Sequence, residues 1–519
     1  MSTKTARRAI RALTAIDAYK IDHRRQYPDG TTRVYSNFTP RGSRIPGVDK
    51  VVLFGLQAFF TDYLTDAFDD FFAADEDEVT AAYTERITAV LGPNDVGEDH
   101  IRALHRLGYV PLRFNALPEG TRVPLRVPMF TVESTHPDFF WLVNYIESVL
   151  SAELWLPCTS ATQAHRFRAL LDDWAARTGG AAAAVDWQGH DFSLRGMEGI
   201  NGAAMSGAGH LLSFTGTDSL PALDWIEDNY PGVDNGLLGG SVAATEHSVM
   251  CAGGDLDEKA TFARLLNLYP TGIVSVVSDT WDLWTVLTGH LPALKDQILA
   301  RDGKLVIRPD SGDPVDILCG TQKEEWADGH SYAKRKVNRQ FGEGKTPAEK
   351  GVIELLWEIF GGTVNAAGYK ELDPHIGAIY GDSINYDRAD QVCKRLAEKG
   401  FASTNVVLGV GSFTYQYVTR DTFGFAMKAT WAEVNGIGRD LFKDPITDDG
   451  LKRSARGRIA VLRDADGELE LVDQATPAQE AASLLTTVWE DGKLLAPQSF
   501  ADVRRVLRSE TPARELVTA

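Results

Sequence analysis

Four short apolar segments in the central part of the chain most constrain its fold. They are GIVSVVSD (272–279), KLVIRPDSGD (304–313), HIGAIYGDS (375–383) and NVVLGVGS (405–412). Amphipathic segments of helical length lie before and between them, at 256–269, 285–300, 349–362 and 387–400. Apolar runs of strand length that alternate with amphipathic helices predict βα units and a parallel sheet. The pattern leaves two arrangements open, a closed barrel and an open sheet.

The chain on either side of these segments has a different pattern, and its 519 residues exceed the length of one ordinary domain. Residues 111–135 alternate apolar and polar side chains around a Pro-Glu-Gly turn, which predicts a β-hairpin. Residues 139–156 are rich in apolar side chains and predict one long helix. The polar tract 320–348 predicts an exposed insertion, and its basic cluster at 334–336 is more typical of a solvated face than of a phosphate site.

The composition argues against several classes of partner. A formal net charge of −19 and a pI near 5.1 argue against a large nucleic-acid interface. No uninterrupted apolar run approaches the roughly 18 residues that a membrane span requires, so we expect no membrane association. The four cysteines lie far apart without a C-x-x-C pair, and we expect unpaired thiols rather than disulfides. These features predict a cytoplasmic protein.

The ends of the four predicted strands carry the residues best suited to ligand binding. In chain order they are Asp279, then Arg308 and Asp310, then Gly381 and Asp382, then Gly411 and Ser412. Parallel α/β folds bind ligands at the carboxyl ends of their strands. Taken alone, Asp279 is more typical of a helix N-cap. Four such endings in succession indicate a rim of carboxylates, one arginine and accessible backbone N–H groups.

Such a rim suits a phosphorylated sugar. Carboxylates accept hydrogen bonds from ribose hydroxyls and hold Mg²⁺ through water, since Mg²⁺ prefers oxygen ligands and keeps part of its hydration shell. Arg308 can bind a phosphate through two parallel hydrogen bonds, and glycine-rich turns before helices let backbone N–H groups approach one. Upstream, His247 follows Glu246 and is either a nucleophile that the acid orients or a structural histidine.

Nine short motifs occur in order over roughly residues 15–460. They are DAYKIDH (17–23), HDFSLRG (190–196), FTGTDSL (214–220), ATEHS (244–248), VSVVSD (274–279), IRPDSGDP (307–314), GDS (381–383), TRDTFGFAMK (419–428) and FKDP (442–445). Together they resemble the nicotinamide phosphoribosyltransferase family, and the RPDSG and EHS segments are the most specific to it. The chain departs from the family at 411–413, where Gly-Ser-Phe replaces a run of glycines.

The resemblance implies a type II phosphoribosyltransferase. This fold has an α/β barrel-like domain and a second α+β domain built from both chain ends. The implied limits are 1–160 and 413–519 for the second domain and 161–412 for the catalytic domain. The resemblance also implies a homodimer with shared active sites that makes nicotinamide mononucleotide and pyrophosphate from nicotinamide and phosphoribosyl pyrophosphate, in NAD salvage.

Carried over position by position, the resemblance assigns the substrate-binding residues. Phe192 would stack on one face of the nicotinamide ring and Tyr19 of the partner subunit on the other, while Asp218 would accept a hydrogen bond from the carboxamide. The other assignments are Arg195 to the pyrophosphate, Arg308 and Asp310 to the base and sugar–phosphate, Gly381 and Asp382 to the ribose hydroxyls, Gly411 and Ser412 to the 5′-phosphate, and Arg420 and Lys428 of the partner subunit to phosphate.

The resemblance also implies the catalytic residues His247, Asp279 and Asp310. His247 matches the histidine that the family phosphorylates with ATP, so ATP would be a co-substrate that stimulates the reaction. Asp279 and Asp310 would lie near Mg²⁺. The transfer would pass through a ribosyl cation, stabilised mainly by the positions of the ring nitrogen and the departing pyrophosphate.

Two alternative functions remain at this point. Nicotinate phosphoribosyltransferase acts on a base that carries a carboxylate, which Asp218 would repel. A catalytically silent dimeric binding protein would not require the reactive residues His247, Arg308, Asp310 and Asp382, all of which are present.

Overall fold

The computed structural model of the protein describes residues 3–232, 237–321, 345–443 and 455–509. These residues divide into two compact units. Unit 1 contains the described chain up to Thr162, the segment Ala222–Gly236 and the described chain from Val418 onward. Unit 2 contains Gln163–Pro221 and Leu237–Tyr417. Most of the predicted insertion at 320–348, including its basic cluster, lies outside the described residues.

Unit 2 is built on a parallel β-sheet. In spatial order its described strands are Gly216–Thr217, Gly189–Asp191, Val406–Val410, Ile376–Ile384, Asp302–Arg308, Thr271–Val277 and Ala243–Ala244. Each neighbouring pair in this order is parallel. A further parallel bridge joins Gly216 on one edge strand to Gly240, just before the other edge strand, so the sheet curves toward a barrel. The predicted α/β barrel-like fold is confirmed, and the four apolar segments form four of these strands.

Amphipathic helices connect the strands, as the sequence predicts. Helix Pro347–Phe360 begins with a capping box between Thr346 and Glu349, and the N-cap Asn385 begins helix Tyr386–Glu398. Other α-helices of this unit are Ala182–Gln188, Gly199–Leu211, His247–Gly253, Glu258–Leu268, Leu283–Thr285, Leu291–Leu299, Pro314–Cys319 and Ser412–Tyr415. Smaller elements are the 3-10 helices Leu194–Gly196, Asp255–Asp257 and Ser403–Asn405, the π-helix Val286–His290, and the strand pair Gly362–Val364 and Lys370–Leu372.

Unit 1 contains an antiparallel sheet drawn from both ends of the chain. In spatial order its described strands are Ile437–Asp440, Ala426–Val434, Thr31–Thr39, Phe130–Ser134, Leu112–Ala116, Thr486–Glu490 and Lys493–Leu494. Phe38 stacks on Phe130 and Phe425 with ring centroids 5.1 and 5.5 Å apart, so residues from both chain ends share one core. This confirms the predicted second α+β domain built from both ends.

Helices cover the rest of unit 1. Its α-helices include Thr3–Ala9, Arg11–Thr14, His23–Gln26, Leu56–Ala58, Phe68–Phe72, Glu76–Leu91, Asp99–Leu107, Leu142–Tyr145, Pro477–Ala481 and Phe500–Ser509. Smaller elements are the 3-10 helices Ala18–Lys20, Pro137–Phe139 and Arg420–Thr422, the π-helix Phe59–Ala67, and the strand pairs Ile459–Arg463 with Leu469–Asp473 and Lys50–Val52 with Arg122–Pro124. Along the chain, helices Glu147–Thr178 and Leu220–Asn229 each begin in one unit and end in the other.

The hairpin predicted at 111–135 forms only in part. Leu112–Ala116 and Phe130–Ser134 pair antiparallel, as expected. The intervening residues Arg122–Pro124 instead pair with the distant strand Lys50–Val52. Pairing with a distant strand therefore overrides the local turn signal.

The helix predicted at 139–156 differs more from the structure. It breaks into Leu142–Tyr145 and Glu147–Thr178, and the second helix continues through Pro157. A proline inside a helix removes one hydrogen bond and clashes with the preceding turn. The helix continues because its apolar face is fully buried on both sides of the proline, for example at Leu154 and Cys158.

The segment Ala222–Gly236 lies within the predicted catalytic span 161–412 but belongs to unit 1. The hydroxyl of Tyr230 donates to the buried carboxylate of Glu119 at 2.7 Å. That carboxylate also accepts the backbone N–H of Gly55, and burial raises the pKa of Glu119. This buried polar contact ties the segment to unit 1. The catalytic role of the rest of the span stays a prediction.

None of the described helices is long and apolar enough to cross a membrane. The four cysteines all fall within the described residues and are unpaired. Cys158, Cys319 and Cys393 are buried and Cys251 is exposed. Burial raises the pKa of Cys158 and Cys319 to about 12, so these two thiols are unreactive at neutral pH.

Candidate active site

The carboxyl ends of the parallel strands in unit 2 border a cavity of about 440 Å³. Eight residues that the sequence predicted line it: Phe192, Arg195, Asp218, Arg308, Asp310, Gly381, Gly411 and Ser412. Gly196, Ser383, Ile384, Phe413 and Tyr417 also line it. Asp382 lies between two lining residues on the strand Ile376–Ile384. The cavity therefore brings together Arg308, Asp310, Gly381, Gly411 and Ser412 of the predicted rim, but Asp279 does not line it.

The ring of Phe192 fits into space that two glycines leave open. A Cβ atom on Gly409 would lie 2.5 Å from Cδ2 of Phe192 and 2.8 Å from the Cα of Gly381. A Cβ on Gly381 would lie 3.6 Å from the same ring and 3.1 Å from a carboxylate oxygen of Asp310. The ring centroid of His190 is 4.6 Å from that of Phe192, with an interplanar angle of 44°. Packing thus fixes an aromatic ring in the cavity wall.

The carboxylate of Asp218 is held by two donors from other segments. His190 Nε2 lies 2.9 Å from Oδ1 of Asp218, and the hydroxyl of Ser241 donates to the same oxygen. Burial alone would raise the pKa of Asp218, but the hydrogen bonds from His190 and Ser241, with the electrostatic effects of His190 and Arg308, outweigh burial and lower the pKa. No described backbone N–H of helix Leu220–Asn229 donates to this carboxylate, which argues against a capping role.

Arg308 carries a positive charge among carboxylates. One of its Nη atoms donates to the backbone carbonyl of Thr245. Its Nε is buried without a hydrogen-bond partner among the described residues. Burial lowers the pKa of Arg308, and the surrounding carboxylates oppose that change, namely Asp310, Asp218 and Asp279. A buried cationic donor without a protein partner suits an anionic ligand.

Asp279 uses its two carboxylate oxygens differently. Oδ2 accepts the backbone N–H of Asp310 at 2.8 Å and the hydroxyl of Ser311 at 2.6 Å. Oδ1 is buried without a hydrogen-bond partner in the described part of the chain, and Nε2 of His247 lies 3.4 Å from it. The side chain of His247 is 48% exposed, whereas that of Asp279 is 5% exposed. Neither His247 nor Asp279 lines the cavity. Asp279, however, contacts both the exposed His247 and Asp310, and Asp310 lines the cavity.

A strand irregularity shapes the wall at residues 381–383. The pairing register of strand Ile376–Ile384 shifts between Tyr380 and Ile384, so these residues form a bulge. Ser383 has a φ of +52°, which non-glycine residues rarely adopt. Bulges of this kind re-aim side chains next to functional sites.

Three predicted substrate-binding residues lie in unit 1 and do not line this cavity. Tyr19 and Arg420 line a separate cavity of about 590 Å³, and Tyr19 is 64% exposed. Lys428 lies on strand Ala426–Val434. Partial desolvation and neighbouring cations, including Lys20, lower the pKa of Lys428, whose side chain is exposed. Unit 1 therefore carries an exposed aromatic ring and basic side chains.

Two residues that contact Asp218, His190 and Ser241, were not predicted as site residues from the sequence. His190 and Phe192 are two residues apart on an extended segment, so their side chains share one face. This spacing would have allowed His190 to be predicted from the sequence as a neighbour of Phe192. Ser241 precedes a strand of two residues and carries no comparable signal.

Comparison with known proteins identifies the family. Residues 187–493 match the nicotinate phosphoribosyltransferase (NAPRTase) family, which is more than half of the chain. The chain belongs to the nicotinate phosphoribosyltransferase family. Residues 11–75 also match the N-terminal domain of nicotinamide phosphoribosyltransferase. The predicted resemblance and the predicted enzyme class, a pentosyltransferase, are confirmed.

Curated members of the family align over most of this phosphoribosyltransferase. The nicotinamide phosphoribosyltransferase of Acinetobacter baylyi is 50% identical over 96% of this chain and 98% of that protein. Those of Mycoplasma pneumoniae and Xanthomonas campestris pv. campestris are 35% and 34% identical, over 87% and 94% of this chain and 95% and 96% of those proteins.

Solved structures share the fold of this phosphoribosyltransferase at low sequence identity. Nicotinate-nucleotide pyrophosphorylase from Pyrococcus furiosus is 15% identical with a TM-score of 0.55, over 96% of this chain and 95% of that one. Human nicotinic acid phosphoribosyltransferase is 16% identical with a TM-score of 0.52, over 96% and 94% of the two chains. These likenesses bear on the fold alone, and the predicted type II phosphoribosyltransferase fold is confirmed.

We predict that Gly409→Ala displaces the ring of Phe192 and lowers kcat/KM for phosphoribosyl transfer at least about tenfold, because misplacing a positioning group by about 1 Å slows reaction steeply. Steady-state kinetics measure the change. Gly289→Ala is the matched control, since a Cβ there meets nothing within 4 Å. Unchanged kinetics in a folded Gly409→Ala variant would contradict the tight packing of the ring.

Proposed function

We propose that the chain is a nicotinamide phosphoribosyltransferase that acts in NAD salvage. It would join nicotinamide to phosphoribosyl pyrophosphate and release nicotinamide mononucleotide and pyrophosphate. The observation that carries this proposal is that one cavity is lined by the ionised carboxylate of Asp218, the ring of Phe192 and Arg308. The name of the Acinetobacter baylyi relative supports it.

The base is recognised through its ring and its amide. Phe192 stacks on one face of the pyridine ring. Asp218 accepts a hydrogen bond from the carboxamide NH₂, because a lowered pKa keeps its carboxylate ionised and able only to accept. Nicotinate would place a second carboxylate against the first, which is repulsive. The proposed base is therefore nicotinamide rather than nicotinate.

The phosphoribosyl pyrophosphate is held by the opposite charges of the same cavity. Arg308, with its unpartnered Nε, contacts the base and sugar–phosphate together with Asp310. The remaining contacts are Arg195 to the pyrophosphate, Gly381 and Asp382 to the ribose hydroxyls, and Gly411 and Ser412 to the 5′-phosphate.

Mg²⁺ is the proposed cofactor, and Asp279 and Asp310 are its proposed ligands. No group of three or more His, Cys, Asp or Glu residues in the described part of the chain can hold a metal by itself. Mg²⁺ does not need one, because it binds through one or two carboxylates, water and substrate phosphates. The buried, unpartnered Oδ1 of Asp279 fits such a ligand. When bound, Mg²⁺ would neutralise charge on the pyrophosphate.

The transfer breaks the bond from ribose C1′ to the pyrophosphate oxygen, which keeps the electron pair. The lone pair of the pyridine nitrogen forms the new bond to C1′, so the product carries a pyridinium. Between these events C1′ has ribosyl-cation character. Phe192 and Asp218 hold the nitrogen in line, and Arg195 stabilises the departing charge, so the chain acts by position and electrostatics.

ATP is the proposed co-substrate, and His247 its proposed phosphate acceptor. Nε2 of His247 lies 3.4 Å from Oδ1 of Asp279, so the carboxylate can orient the imidazole for attack by a ring nitrogen. Attack on the γ-phosphorus of ATP would form the phosphohistidine and release ADP. The exposed position of His247 allows ATP to reach it.

The proposed assembly is a cytoplasmic homodimer with shared active sites. Tyr19 of the partner subunit would stack on the second face of the base, and Arg420 and Lys428 of the partner subunit would bind phosphate. A tyrosine that is 64% exposed beside basic side chains supports this role. Exposed aromatic rings of this kind are typical of interfaces.

We predict that Asp218→Asn narrows the preference for nicotinamide over nicotinate. The substitution removes the negative charge that attracts the amide and repels the acid. A mismatch of this kind lowers kcat/KM roughly 10²–10⁵-fold. The measurement is the ratio of kcat/KM for the two bases in wild type and variant. Asp387→Asn, at an exposed residue of the same unit, is the control. An unchanged ratio in a folded Asp218→Asn variant would defeat the assignment.

We predict that His247→Ala abolishes ATP hydrolysis and ATP stimulation but leaves slow basal transfer, because the nucleophile for ATP is lost while the cavity is intact. Incubation with γ-labelled ATP should label the wild type in an acid-labile form. His375→Ala, at a histidine outside the cavity lining, should still be labelled. Equal labelling of wild type and His247→Ala would refute the phosphohistidine.

We predict that two inactive chains, Tyr19→Ala and Asp310→Ala, recover activity when mixed. In a random 1:1 mixture about a quarter of the sites would receive both intact residues, by the symmetry of a two-fold dimer. Mixing Tyr19→Ala with Arg420→Ala should restore none, because both changes fall on the same unit. No recovery in the first mixture, despite demonstrated subunit exchange, would exclude shared sites.

A further inference from the structure

His190 is the residue that joins the two base-binding groups of the cavity. Its Nε2 lies 2.9 Å from Oδ1 of Asp218, and its ring lies 4.6 Å from that of Phe192. Because an ionised carboxylate can only accept, the proton of this hydrogen bond is on Nε2. One imidazole therefore orients the carboxylate and packs against the aromatic ring.

The ring of His190 has little freedom to move. Its side chain is 10% exposed, and a Cβ on Gly216 would lie 2.7 Å from its Nδ1. Gly216 and Asp218 are two residues apart, as are His190 and Phe192, and the two short strands pair in parallel. Because Gly216 has no side chain, the imidazole fits against this backbone, next to Asp218 of the same segment.

The donors to Asp218 are divided unequally between its two oxygens. His190 and Ser241 both donate to Oδ1. No described residue donates a hydrogen bond to Oδ2. The side chain of Asp218 is 43% exposed and lines the cavity. Saturating one oxygen fixes the plane of the carboxylate and leaves the other oxygen to a ligand.

We propose that His190 is a positioning residue that sets base selectivity, by holding Oδ2 of Asp218 in line with the amide of a base stacked on Phe192. The inference rests on the proposed function. His190 does not contact the reacting atoms in this role. Its hydrogen bond to Asp218 favours the amide base, because nicotinate has no N–H to donate to Asp218.

The test compares His190→Leu with His190→Gln. Leucine keeps apolar bulk against Phe192 but cannot donate, whereas the amide of glutamine can place a donor near the position of Nε2. The kcat/KM ratio of nicotinamide to nicotinate should fall about 10- to 100-fold in His190→Leu, the size expected for one lost hydrogen bond to a charged group. It should stay within about threefold of wild type in His190→Gln.

Three further variants make the test specific. Ser241→Ala removes the other donor without touching Phe192 and should also lower the ratio, so the inference is testable even if His190→Leu does not fold. In an Asp218→Asn background, His190→Leu should not change the ratio further. His375→Leu breaks a histidine–carboxylate pair of 2.7 Å outside the cavity lining and should leave the ratio unchanged.

The outcomes separate this inference from the proposed function. A wild type without preference for nicotinamide would overturn the proposed function, and this inference with it. A wild type that prefers nicotinamide, with a folded His190→Leu variant that loses activity equally toward both bases, would overturn this inference alone. A lowered ratio in His190→Leu and Ser241→Ala, recovered in His190→Gln, would establish it.

Discussion

The parallel register between Asp302–Arg308 and Thr271–Val277 is the constraint on which the site depends. The two strands pair residue by residue without a shift, from Asp302 opposite Thr271 to Arg308 opposite Val277. Because both strands end at the same edge, Asp310 follows beside Asp279, and its backbone N–H donates to that carboxylate. A slip of one residue would turn every side chain to the other face. The register therefore brings the charged groups together.

Bringing these charges together has an electrostatic cost that the fold offsets locally. Asp279 is nearly buried and is stabilised through one oxygen by Asp310 and Ser311. Asp218 is stabilised by donors on other segments, and Arg308 by a backbone carbonyl. Arg308 Nε and Asp279 Oδ1 are buried without a hydrogen-bond partner among the described residues, although Nε2 of His247 lies 3.4 Å from the second atom. Partly satisfied buried groups destabilise a fold unless a ligand completes them, so this arrangement favours binding over stability.

Much of the fold and part of the site follow from the sequence. The βα segments predict the parallel sheet, and their endings predict Arg308, Asp310 and Gly381 in one cavity, because parallel strands end together. Local patterns do not predict that a helix continues through Pro157 or that Arg122–Pro124 pairs with a distant strand. Both features depend on tertiary packing. His190 and Ser241 contact Asp218 from other segments of the chain, and only the spacing of His190 from Phe192 indicates one of these contacts in the sequence. The roles of Tyr19, Arg420 and Lys428 come from the family resemblance alone.

The most direct test of the central claim is an assay of the purified chain with phosphoribosyl pyrophosphate, Mg²⁺ and one pyridine base at a time. Pyrophosphate release and mononucleotide formation are followed together. We predict that both products appear in equal amounts with nicotinamide, with a kcat/KM at least about 100-fold above that for nicotinate, as expected for a site that accepts an amide N–H. Turnover that is faster with nicotinate, or absent with nicotinamide in a folded dimer, would contradict it.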